Sequence, residues 1–203
     1  MSLRRRSLLA LVAALAMAAA SRPGHADCPT AEAFISDAAD RTLAILNAPG
    51  ADDTQRLAGM NELLFQLADV PLIARLVLGR HWRAASEPQR TAYLDAFRVY
   101  AVDSLAYRFA RLGGGVSYRL LGRCVADGSD ALVPIEVTLP NRPDPVRIEW
   151  RVRETDGAYR LIDVAVEGVS LVVSNRSEFD SVVNRQGLDA LIAQIQGKAG
   201  SGS

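Results

Sequence analysis

Past its first 26 residues the chain keeps a single histidine, His81, and any relay of base and nucleophile would have to be built on it. His81 stands beside Trp82 at a break between helical patterns, the place of a boundary residue rather than a general base. No Gly-x-Ser-x-Gly turn supplies a nucleophile for it to activate. Asp163 and Glu167 are close enough in sequence to meet at one end of a sheet, and paired carboxylates can do acid–base work; as a turn-stabilising acid and a surface acid they would do none. No group of His, Cys and Asp has metal-ligand spacing. Gly113-Gly114-Gly115 follows a helical pattern and precedes a strand, the wrong order for presenting phosphate to a helix N-terminus. The expected catalytic set is therefore empty, as is the metal set, with Asp163 the base an enzyme of this sequence would use.

The remaining chemistry is sulfur and hydrocarbon. Cys28 and Cys124 are the only cysteines. The first 26 residues read as an export signal: Arg4, Arg5 and Arg6, an apolar run from Leu8 to Ala20, and small residues ending at Ala26. The run is too short to span a bilayer comfortably. Arg5-Arg6-Ser7-Leu8-Leu9 also resembles a twin-arginine signal, so both export routes stay open. An exported chain with two cysteines is expected to pair them, with two buried thiols as the alternative. Four of the 23 basic residues fall in the signal, which leaves 19 basic against 23 acidic residues and a net charge of −4. A nucleic-acid partner would call for the opposite sign.

Six of the twelve aromatic residues lie between Trp82 and Phe109. Tyr93, Phe97 and Tyr100 form one stripe of a helix opened by a Ser86/Gln89 capping box and stopped by the three glycines. That helix is apolar on several sides, so it is expected to be covered on several sides. Before it come helical patterns over 29–47, 53–67 and 70–78, the last broken at Gly79. After it the period changes from 3.6 to 2, giving strands near 116–124, 131–139, 146–153 and 159–166, with Asp156-Gly157 as a hairpin turn. Pro134 marks an edge or a bulge. Asn175 with Glu178 is read as the cap of a further helix, and Gly187 separates that helix from a last one. The fold class is α+β: a helical N-terminal part packed on a four-stranded, antiparallel, curved sheet, with C-terminal helices. One domain spans 27–197, after the signal over 1–26 and before a small-residue tail over 198–203.

Several motifs taken together resemble a known family. Leu76-Val77-Leu78-Gly79-Arg80, Trp82-Arg83, Ser86-x-x-Gln89-Arg90 and Phe97 are followed by Val133-Pro134-Ile135, Tyr159, Asp163 and Glu167-Gly168-Val169-Ser170-Leu171. Gly187 with Leu188 and Leu191 closes the series. In order and spacing the set is similar to MlaC, the toluene-tolerance family of periplasmic phospholipid-binding proteins, across the whole mature chain. The resemblance implies a sheet similar to the nuclear-transport-factor-2 type with an apolar lipid cavity. It also implies a monomeric, non-catalytic periplasmic carrier with bound phospholipid as ligand and no cofactor. The expected partners are an outer-membrane lipoprotein–porin complex and an inner-membrane ABC transporter with an MCE-domain subunit, together maintaining outer-membrane lipid asymmetry. A hopanoid carrier and an enzyme using Asp163 are the alternatives.

On that resemblance the cavity walls are expected from Leu76, Trp82, Tyr93, Phe97 and Tyr100 on the helices. The strands would add Val133, Ile135 and Val137, then Ile148, Trp150 and Val152, with Val169 and Leu171 after the sheet. Arg80, Arg83 and Arg147 are the expected headgroup rim, as guanidinium forks for phosphate. The break from Gly79 to Ser86 would be the mouth.

Overall fold

The computed structural model describes residues 28–198 except 111, 113 and 123, so the export segment lies outside the described residues. Five helices come first: α1 (Pro29–Leu46), α2 (Asp53–Leu67), α3 (Val70–Leu78), the single turn α4 (His81–Ala84) and α5 (Glu87–Ala110). Their starts follow from local chemistry. Pro29 opens α1 where its missing N–H costs nothing. Asp52 and Gln55 form a reciprocal capping box on α2, Asp69 caps α3 through the Leu72 N–H at 2.9 Å, and Ser86 and Gln89 cap α5. Gly79 ends α3 at φ 57°, a left-handed backbone that only glycine adopts freely.

The sheet has six strands rather than four, in the order β1-β3-β4-β5-β6 with β2 also pairing β3, all antiparallel. The single strand expected over 116–124 is two, β1 (Ser117–Leu120) and β2 (Val125–Asp127), and both pair with β3 (Asp130–Thr138). Pro134 explains the interruption. In an antiparallel strand a residue's N–H and C=O point the same way, and the Pro134 carbonyl accepts from Leu121 N–H. The missing Pro134 donor therefore faces the point where β1 ends and the chain loops towards β2. Cys124 sits in that loop and is bonded to Cys28 at the head of α1, with Cα atoms 5.7 Å apart.

β4 (Val146–Thr155) and β5 (Ala158–Val166) follow, joined through Asp156-Gly157 at φ 52° and 76°. Glu167-Gly168, at φ 50° and 81°, makes a second two-residue turn instead of simply leaving the sheet, and adds the edge strand β6 (Val169–Ser170). Glu167 is tied down in that conformation, its N–H donating to the Arg147 carbonyl and its carboxylate accepting from Arg147 N–H. Between Arg151 and Val152 the register shifts, leaving Ile162 as an extra residue on β5, so that Leu161 and Val164 both sit opposite inward-facing partners. A bulge of this kind bends the sheet. Helices α6 (Leu171–Gln186) and α7 (Leu188–Lys198) complete the chain; Lys198 belongs to α7, and the rest of the expected tail lies outside the described residues.

α1 lies against β1 and β3, α2, α3 and α6 lie against β5, and α5 packs on α2, α3 and α7. On the opposite face of the sheet Asp130 is the one buried charged residue among the described residues. Its carboxylate accepts from Arg151 Nε at 2.9 Å and Nη2 at 2.6 Å, and from Arg153 Nε at 2.5 Å and Nη2 at 3.0 Å. Hydrogen bonds from Arg153, and secondarily from Arg151, outweigh burial and hold the Asp130 carboxyl below the usual carboxylate range. A depressed folded pKa contributes stability that is complete above the unfolded value of about 4 and is lost as pH falls through the folded value. Asp130→Asn should cost about 2 kcal/mol at neutral pH, discounted because both arginines are partly exposed. The gap between the two proteins should close as pH drops below about 4, read by urea unfolding across pH. A gap that persists undiminished at acid pH would refute this assignment.

Candidate functional site

The bent sheet and the helices do not close on each other. Cavity 1, about 350 Å³, lies between α1, α2 and the concave face of the sheet. Ile35 and Leu43 of α1, Met60 and Leu63 of α2, Ile135 and Val137 of β3, Ile148 of β4 and Val166 of β5 supply its walls. Its polar side chains are Thr42, Tyr118 and Arg142. The Tyr118 hydroxyl hydrogen bonds to Asp40 Oδ1 at 2.9 Å and the Ser36 carbonyl at 3.2 Å, which leaves the ring to the cavity. Burial first, and the Asp40 carboxylate second, raise the phenol above its usual pKa, so it stays neutral.

Cavity 2, about 480 Å³, lies between α3, α5, α6 and β5. Ile73 and Val77 of α3, Phe97 and Tyr100 of α5 and Val172 of α6 line it, with Asp163, Asn175, Glu178 and Lys198 among its polar groups. Leu64, Leu105, Trp150, Leu161, Val164 and Leu171 belong to both linings and form the partition between them. Each cavity falls in the size range of small-molecule sites, roughly 300–1,000 Å³.

The structure sorts the expected wall residues. Phe97 and Tyr100 reach cavity 2; Ile135, Val137 and Ile148 reach cavity 1; Trp150 and Leu171 reach both. The others line neither cavity. Val133 and Val152 are on the same sheet face but are wholly buried in solid packing. Tyr93 is also wholly buried, its ring between Phe97 and Phe179 and its hydroxyl donating to the Ala74 carbonyl at 3.0 Å; burial pushes its pKa up. Leu76 lies outside both linings, its carbonyl accepting from Arg176 Nε. Trp82 is flanked by the guanidiniums of Arg75 and Arg90, at 5.8 and 5.4 Å from the ring centre. Val169, 59% exposed, pairs with Val166 on the edge strand and lines neither cavity.

The expected headgroup arginines are elsewhere too. Arg80 pairs with Asp180 at 2.8 Å, Arg83 is exposed on α4, and Arg147 is exposed on β4 between the buried Val146 and Ile148. No residue of the Gly79–Ser86 break lines either cavity, and His81 Nε2 contacts Asp180 Oδ1 at 2.8 Å, fastening the break to α6. Among the described residues, Arg142, in the connection after β3, is the arginine that lines a cavity. The α1 and α2 residues of cavity 1 carried a signal in the apolar face of α2, but such a face reads equally well as core.

Asp163 is engaged from three sides, accepting from Val164 N–H, Val172 N–H and the Ser170 hydroxyl. Ser170 in turn caps α6 by accepting from Val173 N–H at 3.0 Å. The helix thus starts at Leu171, one turn before the expected Asn175/Glu178 cap, and Asn175 instead donates to the Leu171 carbonyl. From β5, Asp163 satisfies the second amide of α6 and holds the hydroxyl of its cap, and so sets where Leu171 enters the partition. Among the described residues no three His, Cys, Asp or Glu side chains are grouped to hold a metal, and no helix is long and apolar enough to cross a membrane.

A family model described as MlaC protein matches residues 36–197. The intermembrane phospholipid transport system binding protein MlaC of Haemophilus influenzae is 21% identical over 125 residues, covering 61% of this chain and 58% of that protein. The chain thus aligns with somewhat more than half the length of that relative. A solved structure of the phospholipid-binding protein from Ralstonia solanacearum, in complex with a phospholipid, matches with a TM-score of 0.72 at 21% identity. The match covers 85% of this chain and 98% of that one, and it establishes a shared fold.

Proposed function

The chain belongs to the MlaC family, and on that premise we propose that it is a periplasmic carrier holding the acyl chains of a glycerophospholipid in cavities 1 and 2. It moves lipid between an outer-membrane lipoprotein–porin complex and an inner-membrane ABC transporter bearing an MCE-domain subunit, and so maintains outer-membrane lipid asymmetry. The observation that carries the reading is the pair of apolar cavities sharing a partition between sheet and helices. A diacyl lipid exposes roughly 30 methylenes, and at ~0.8 kcal/mol each their transfer to water costs on the order of 20 kcal/mol. A carrier crossing an aqueous space must cover nearly all of them and leave the headgroup wet. The Cys28–Cys124 bond suits an oxidising exported compartment. The names of the Haemophilus influenzae and Ralstonia solanacearum proteins supply the lipid class.

Organic extraction of protein purified from its own compartment tests this. Diacyl glycerophospholipid should be recovered at near one equivalent or more; protein that is reproducibly empty, or that holds only a polycyclic lipid, would overturn the reading. Asp163→Asn keeps an acceptor for the Val172 N–H and should leave lipid occupancy broadly unchanged, because the carboxylate's work is structural. Any turnover abolished by that change while lipid occupancy persists would favour an enzyme.

A further inference from the structure

Cavity 1 has three polar side chains in its lining, and two of them are already engaged. The Thr42 hydroxyl donates to the Ala38 carbonyl at 2.8 Å, and the Tyr118 hydroxyl is held by Asp40 and the Ser36 carbonyl. The third, Arg142, is exposed, and among the described residues its guanidinium has neither a hydrogen bond nor an ion pair. Arginines elsewhere on this surface find an anion: Arg80 has Asp180, Arg119 has Glu136, and Arg151 and Arg153 share Asp130. Arg142 instead lays its stem along an apolar cavity and keeps its charged head in water.

The fold fixes where that head stands. Arg142 N–H donates to the Leu139 carbonyl at 3.2 Å, closing a turn with Pro140 inside it and Pro143 directly after it, both of restricted φ. Pro140 lies beside Gly115, 3.6 Å from where a β-carbon would stand, and Gly115 N–H donates to Asn47 Oδ1 at 3.3 Å. The connection is thereby seated against the end of α1 and the approach to β1. On the sheet, Val137 pairs with Val146 at the base of this connection, and Trp150 of the partition stands four residues further along β4. At the rise of a strand that is about 13 Å. Arg142 therefore marks the end of cavity 1 away from cavity 2.

We propose that Arg142 is the phosphate-binding residue of the lipid site: it takes the headgroup phosphate at the outer end of cavity 1, with the acyl chains running inward to the partition. A guanidinium presents its N–H donors in a planar fork that matches two phosphate oxygens. The phosphate is common to all glycerophospholipids, so the contact selects phospholipid over neutral diacyl lipid and is indifferent to the alcohol beyond the phosphate. The fork is solvent-exposed, so the preference is modest, about two- to fivefold. This assignment rests on the lipid-carrier reading, and its test separates the two.

The mature, full-length protein is loaded from vesicles of phosphatidylcholine and diacylglycerol with matched acyl chains, and bound lipid is identified by mass spectrometry. Arg142→Met keeps a stem over the apolar lining and removes the fork. It should lower the ratio of bound phosphatidylcholine to bound diacylglycerol about two- to fivefold, with diacylglycerol uptake and melting temperature unchanged. Arg83→Met removes an exposed arginine that lines neither cavity and should keep the wild-type ratio. The wild-type ratio should also be the same in inorganic phosphate as in chloride at equal ionic strength, because the buried chains hold the lipid phosphate at the guanidinium at high effective concentration. A ratio that Arg142→Met leaves unchanged, or that Arg83→Met lowers equally, would overturn the assignment while leaving the carrier reading standing. So would a ratio lowered by inorganic phosphate and not by chloride, which would make Arg142 a site for the free anion. Failure of the wild type to take up either lipid would instead overturn the carrier reading, and the assignment with it.

Discussion

Ile148→Glu should empty the protein of lipid or unfold it. Ile148 lies in the middle of the sheet, opposite Ile135 on β3 and Val166 on β5, and is 8% exposed at the wall of cavity 1. A carboxylate there has an apolar neighbour on each flanking strand. It must either stay protonated or draw water into the space the acyl chains need. Burying it without a hydrogen-bonding partner costs on the order of several kcal/mol, a large part of a domain's net stability. The expected result is at least a tenfold loss of co-purified lipid, with a denaturant midpoint lowered in proportion to whatever cost the fold absorbs. Val169→Glu is the control: it lies on the same sheet but is 59% exposed and lines neither cavity, so stability should stay within about 0.5 kcal/mol of wild type. Full lipid occupancy in a stable Ile148→Glu protein would mean that the wrong face of the sheet has been assigned to the lipid.

Replacing both cysteines by serine should have the second largest effect. The Cys28–Cys124 bond closes a loop with a sequence separation of 96 residues, which contains α1 to α5 and β1. In the chain-entropy model a loop of that length stabilises by about 4–5 kcal/mol, although native-state strain and residual unfolded structure often reduce the measured value. For a domain of this size a loss of even 3 kcal/mol corresponds to a fall in melting temperature of about 10 °C. Thermal unfolding of Cys28→Ser/Cys124→Ser against wild type measures it. Both sulfurs are buried in the same core cluster as Ile35 and Val133, so serine hydroxyls there add a further cost. An unchanged melting temperature would show that α1 is held by packing alone.

What the sequence could and could not tell follows from the range of the interactions. Helix limits were legible because their signals are local: the Asp52/Gln55 and Ser86/Gln89 boxes and Gly79 each act within a few residues. The start of α6 was not, because the acid that completes its cap comes from Asp163 on β5. Inward strand faces could be read from period-two alternation, but the bulge at Ile162 shifts that phase, and alternation alone does not predict a bulge. The family could be recognised from motifs spread along the chain. Which apolar residues face empty space was a different matter. Val133 and Ile135 differ by one strand repeat, yet the first packs solidly and the second borders a cavity, since that depends on how far the sheet bends away from α1 and α2. The arginines expected at the rim lie outside both cavity linings for a related reason: a guanidinium near an apolar motif in sequence finds whichever carboxylate or carbonyl the fold offers, as Arg80 finds Asp180.

The bond between Cys28 and Cys124 also bears on how the chain matures. Threaded across a membrane N-terminus first, as a chain exported unfolded would be, the chain would present Cys28 early, with Cys124 following only after the five helices and β1. With two cysteines in the whole sequence there is one possible intramolecular pairing. Oxidation can therefore be late but never mispaired. Such a chain needs an oxidant but no isomerase to choose among intramolecular pairings, and the bond once made fastens α1 to the sheet beside cavity 1.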